Sequence, residues 1–156
     1  LLDTIDVLEA FTETPFEQII FKNYESSRRQ NDYTHVNTIN VLDESMALRF
    51  PMCKKGQLLL SLRNMHTLAV LDPQTRKIVW AMQSIWSSQH DTQFQPNGYI
   101  SLFDNDGFRN GDKNRLRSRV LWLNPATGGF EKNFIPSPNL DMYSKHKGGA
   151  QMLPNG

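Results

Sequence analysis

The tightest constraint on this chain is that it repeats itself. Gln93-Phe94-Gln95-Pro96-Asn97-Gly98 recurs as Gln151-Met152-Leu153-Pro154-Asn155-Gly156, and a looser copy, Lys54-Lys55-Gly56, precedes Gln57-Leu58-Leu59-Leu60-Ser61. The glycines of these copies, Gly56, Gly98 and Gly156, are 42 and then 58 residues apart. A second marker keeps step with the first: Leu71-Asp72-Pro73-Gln74-Thr75 returns 52 positions later as Leu123-Asn124-Pro125-Ala126-Thr127. A polar insertion, Asn105 to Arg117, accounts for both longer spacings. A period near forty residues restricts the chain to stacked supersecondary units.

Each unit reads as β-structure. Leu58-Leu59-Leu60 and Tyr99-Ile100-Ser101-Leu102-Phe103 follow a glycine turn. Thr67-Leu68-Ala69-Val70-Leu71 and Arg119-Val120-Leu121-Trp122-Leu123 come next, and the Asp/Asn-Pro-x-Thr segment turns the chain, with Pro setting φ and the polar side chains capping the turn. Ile78-Val79-Trp80 and Phe130-Glu131-Lys132-Asn133-Phe134 complete each unit. The pattern predicts an all-β fold built from four-stranded β-propeller blades, about two to three of them, over residues 32–156. A small β-sandwich with similar strands is the alternative. Propellers close with about 4–8 blades, so the expectation is a segment of a larger ring.

Residues 1–31 read differently, as a helical lead-in. Thr14-Pro15-Phe16-Glu17 has the form of a helix start, with Thr as N-cap, Pro next and Glu three residues on. Phe16, Ile19, Ile20 and Tyr24 follow at helical spacing, and Ile5, Leu8 and Phe11 share a face before them. Ser26 to Asp32 reads as a polar linker. The chain has no initiator Met, basic leader or small-residue cleavage site, which suits a part of a longer protein.

Composition narrows the function classes. Lys+Arg 17 against Asp+Glu 16 leaves a formal net charge of +1, too little to hold nucleic acid or an anionic membrane. The longest apolar runs fall far short of the ~20 residues of a membrane span. One cysteine, Cys53, rules out an internal disulfide and a multi-cysteine metal site, and reads as packing. Asp104-Asn105-Asp106-Asn110 lacks the stepped ligands and distal Glu of a calcium loop. No metal or other cofactor is expected. Trp80, Trp86 and Trp122 read as packing within or between blades.

Among the four histidines, His66 and His146 lie in polar turns and read as solvated. His35 and His90 each precede a strand ahead of a glycine turn, which suggests related places around a propeller axis. Two imidazoles beside Arg63 or Arg119 would suit an oxyanion, because a guanidinium fork matches tetrahedral anions. Backbone hydrogen bonding alone is the competing role for both histidines.

Five segments in order carry a family resemblance: Asp32-Tyr33-Thr34-His35-Val36-Asn37, Leu60-Ser61-Leu62-Arg63-Asn64, Gln89-His90-Asp91, Leu102-Phe103-Asp104-Asn105 and Ser118-Arg119-Val120. With the closing Gly149 to Gly156, they resemble the motifs of the aryl-sulfate sulfotransferase family from about Asp32 onward. The resemblance implies a six-bladed propeller of the bacterial periplasm or a secreted one. It implies transfer of a sulfuryl group from a phenolic sulfate to a phenol through a covalent sulfohistidine, without a nucleotide donor. By motif, His35, His90 and Arg119 match positions that bind the sulfuryl oxygens, with Asn37, Arg63 and Asn105 as pocket neighbours. The family's nucleophilic histidine falls in a later blade, beyond Gly156, so the segment alone is expected to be inactive. The implied partners are an aryl sulfate and a phenol, and a homo-oligomer is left open. A non-catalytic binding propeller and a quinone-dependent dehydrogenase propeller are the rival readings.

Overall fold

A computed structural model describes residues 3–27, 32–108, 117–134 and 142–153. Residues 28–31 of the linker, 109–116 of the insertion (Asn110 among them) and the third glycine turn, Pro154-Asn155-Gly156, lie outside the described residues. Two four-stranded antiparallel sheets follow one another along the chain. The first is β1 (Val36–Val41), β2 (Leu58–Leu62), β3 (Thr67–Asp72) and β4 (Lys77–Gln83) in that order. The second is β5 (His90–Phe94), β6 (Ile100–Phe108), β7 (Arg117–Leu123) and β8 (Phe130–Phe134). Each sheet is a sequential meander, the form of a propeller blade.

The repeat is a repeat of register. Leu58, Leu59 and Leu60 face Leu71, Val70 and Ala69, as Ile100, Ser101 and Leu102 face Leu123, Trp122 and Leu121. Both marker turns work alike. Asp72 Oδ1 accepts from the N–H groups of Gln74 (2.9 Å) and Thr75 (3.3 Å), and Asn124 Oδ1 accepts from those of Ala126 (3.0 Å) and Thr127 (3.3 Å). Gly56 and Gly98 both adopt left-handed backbone, with φ 83° and 86°, which costs glycine nothing. The insertion starts as a longer hairpin: β6 runs on to Phe108, which pairs with Arg117.

Strands with both faces covered need apolar residues at successive positions. Leu59, Leu68, Val70 and Trp80 of the first sheet pack with Phe94, Ile100, Leu102, Leu121 and Leu123 of the second, and Trp86 joins them. Leu60, Leu62, Ala69, Leu71 and Ile78 point the other way. By register, that opposite face matches the one the second sheet lays on the first. Here it is covered instead by the N-terminal segment: Ala10 and Phe11 are buried, and Ile5, Val7, Leu8, Phe16, Ile19 and Ile20 pack beside them.

The lead-in differs in detail from its expected form. Glu9–Phe11 is a 3₁₀ turn and helix α1 spans Gln18–Ser27. Thr14 does accept from the Phe16 N–H (3.2 Å), but Thr14 to Glu17 first winds through tight turns, and the Glu17, Ile19 and Ile20 N–H groups bond carbonyls three residues back as the chain enters α1. A short helix α2 (Glu44–Ala47) that the periodicity does not announce joins β1 to β2, capped by Asp43, whose Oδ1 accepts from Met46 N–H at 3.1 Å.

Candidate functional site

The inner strands β1 and β5 lie side by side and are joined through side chains. Asn37 Nδ2 donates to the Gln89 carbonyl (2.8 Å), Asp91 N–H donates to Thr38 Oγ1 (2.9 Å), and Phe94 N–H donates to Asn40 Oδ1 (3.0 Å). Asn is a poor strand residue, while Thr is a good one; both side chains reach a neighbouring backbone well. The segment 142–153 continues the scheme: Ala150 N–H donates to Asp91 Oδ2 at 2.8 Å. Glycine is needed where it passes, since a Cβ on Gly148 would stand 2.2 Å from the Phe103 ring.

His90 opens β5 opposite Phe103. Its Nδ1 lies 3.0 Å from the Ser88 carbonyl and 2.8 Å from Asn105 Oδ1. Asn105 is fully buried, and its Nδ2 donates to the carbonyls of Ser144 (2.6 Å) and Lys147 (3.0 Å). No described residue hydrogen-bonds His90 Nε2. Ser88, in left-handed backbone with φ 56°, turns its carbonyl to His90 and gives its N–H to His66 Nδ1 at 3.0 Å.

His35 belongs to a separate cluster at the start of β1. Its N–H donates to Asp32 Oδ1 (2.9 Å) and its Nδ1 meets Asp32 Oδ2 at 2.7 Å, with the side chain 44% exposed. Arg63 N–H donates to the His35 carbonyl (3.1 Å), Arg63 Nη1 to Asn64 Oδ1 (2.8 Å), and Asn64 Nδ2 to the Asp32 carbonyl (2.7 Å). Asn37 connects the two clusters, being two residues from His35 and bonded to the carbonyl next to His90.

Arg119 is tied into the fold. Its Nε donates to Asp104 Oδ2 at 2.8 Å and its Nη2 to the Ile85 carbonyl at 3.2 Å, while Asp104 Oδ1 accepts from Ser87 N–H at 2.9 Å. Asp104 is wholly buried and the Arg119 side chain is 11% exposed. The pair is therefore close to neutral as a unit and holds the β4–β5 connection against the second sheet.

Strand register changes one relation expected from the sequence. Counting back from the pairs Val41–Leu58 and Phe94–Ile100 places Ser88, and not His90, in the position of His35. The left-handed φ of 46° at His35 and 56° at Ser88 agrees. Each inner strand carries one extra residue at its register shift, so the two shifts cancel and the match set by Val41 and Phe94 carries back unchanged. Sequence reading also missed Gln89, which is fully buried and gives Nε2 to Ser61 Oγ (3.3 Å) and the carbonyls of Leu62 (3.2 Å) and Thr67 (3.1 Å). His66 is exposed, but it does more than face water: its carbonyl accepts from Trp86 Nε1 at 2.9 Å and its ring from Ser88. Its left-handed backbone, φ 49°, aims the ring at the β4–β5 connection. His146 is exposed, and Cys53 is buried, with its thiol pushed up to about 11 by desolvation.

Two successive meander sheets, joined at their inner strands around a cluster of imidazoles and amides, define part of a β-propeller with a polar site at its inner edge. The chain belongs to the arylsulfotransferase (ASST) family, whose model matches residues 1–156. Searches of curated proteins and of solved structures return no match. Family membership implies small-molecule aryl substrates. Among the described residues no helix is long and apolar enough to cross a membrane.

Proposed function

We propose that the protein moves a sulfuryl group from an aryl sulfate to a phenol by way of a sulfohistidine, as an exported enzyme of the bacterial periplasm or cell exterior. The observation that carries this reading is His90, anchored through Nδ1 alone, with no described hydrogen bond at Nε2. Protonated, Nε2–H donates to a sulfuryl oxygen; neutral, it accepts from a phenol hydroxyl. In the first half-reaction the aryl O–S bond breaks as an N–S bond forms on the nucleophilic histidine, and the phenolate takes a proton. In the second half-reaction an acceptor phenol loses its proton and attacks sulfur, which restores the histidine. The nucleophile is assigned to a later blade by family resemblance. His35 and Arg119 are assigned to the sulfuryl oxygens, Arg119 acting as part of its pair with Asp104, and Asn37 and Arg63 to the pocket edge.

The test is made on the full-length protein with a chromogenic aryl sulfate and a phenol acceptor. Acceptor-dependent phenol release in wild type that collapses in His35→Ala, His90→Ala and Arg119→Ala supports the reading. A folded wild-type protein that releases no phenol from any of several donors overturns it and leaves a binding propeller.

A further inference from the structure

We infer that Asn105 is a positioning residue that fixes the tautomer of His90. Hydrogen-bond inventory carries the argument. The Asn105 amide faces carbonyls of Ser144 and Lys147 with one end and His90 Nδ1 with the other. A carbonyl only accepts, so the end toward Ser144 and Lys147 is the NH₂ group, and both of its hydrogens are used there. Oδ1 therefore faces His90 Nδ1, and an oxygen acceptor 2.8 Å away requires a proton on that nitrogen. The Ser88 carbonyl at 3.0 Å makes the same demand. His90 is thus the Nδ1–H tautomer when neutral, and its lone pair lies on Nε2.

The support behind Asn105 is itself built from several elements. Ser118 Oγ on β7 donates to the Asn105 carbonyl at 3.0 Å and accepts from Ser144 N–H at 2.9 Å, while Ser118 N–H donates to the Met142 carbonyl at 2.9 Å. Segment 142–147 thereby holds the amide that orients the histidine, coupling the tautomer to the chain beyond the second sheet. The catalytic meaning of this rests on the proposed function; the tautomer itself does not.

Imidazole nitrogen resonances decide it in full-length protein labelled with ¹⁵N-histidine, recorded without substrate at a pH where imidazole is neutral. His90→Gln assigns the signals by their loss. Wild type is expected to show a protonated Nδ1 and an unprotonated Nε2 at His90, and Asn105→Ala to lose much of that Nδ1–H signature while the other histidines keep their shifts. An Nε2–H tautomer at His90 in wild type overturns the inference, and that spectrum needs no stable Asn105 variant. An unchanged tautomer in folded Asn105→Ala overturns the role of Asn105 and leaves Ser88 as the determinant. Absence of sulfuryl transfer with the expected spectrum would sink the functional reading alone.

Discussion

At the scale of single residues, the buried polar groups do more positioning than their types suggest. Asp104 and Arg119 are the sharpest case, because each is desolvated by the fold that brings them together. Replacing Asp104 with Ala removes the carboxylate that balances an almost buried guanidinium, and we expect a loss of about 3–5 kcal/mol in urea unfolding. Asp72 offers a pH test. Burial acts to raise its carboxyl, but hydrogen bonds from Gln57, Gln74 and Thr75, with the charge of Lys54, outweigh it and hold the group below its ordinary 3.8. The folded value is lowered, so the stabilisation is present above 3.8 and fades as pH falls through the folded value. The stability gap between wild type and D72N, followed by denaturant titration from pH 6 to pH 2, is expected to close in that acid range. Asn124 fills the same turn role in the second sheet without a titrating group, which is why the amide is a fair replacement.

Among the elements, the turns carry the most sequence-local information. Gly56 and Gly98 share their left-handed backbone, but a Cβ at Gly56 meets nothing within 4 Å while one at Gly98 stands 3.1 Å from the Arg49 carbonyl. Gly56→Ala is expected to cost about 1 kcal/mol and Gly98→Ala clearly more, read as the difference in urea midpoints. Turns and strands were legible because an Asp/Asn-Pro-x-Thr turn and an apolar run depend on neighbours a few residues away. The start of α1 was misplaced, since Thr14 satisfies a turn before it satisfies a helix. The site was only partly legible. His90 and Asn105 were both singled out, but their contact spans fifteen positions and two strands. His35 and His90 do not correspond because a histidine ahead of a strand carries no register, which is set by pairing between strands distant in sequence.

For the molecule as a whole, the two faces of the first sheet are the controlling feature. Phe11 is fully buried on the face opposite the second sheet. Phe11→Ala is expected to cost about 3–5 kcal/mol and to raise self-association, measured together by thermal unfolding and sedimentation. On the second sheet the outer face buries Phe103, Val120 and Trp122 under Tyr99 and residues of segment 142–153, which leave an apolar groove of about 360 Å³ beside them. Residues 5–20 occupy, within this chain, the place on the first sheet that register would give to another sheet, so an apolar face that would otherwise meet water or a neighbouring molecule is sheltered by the chain itself.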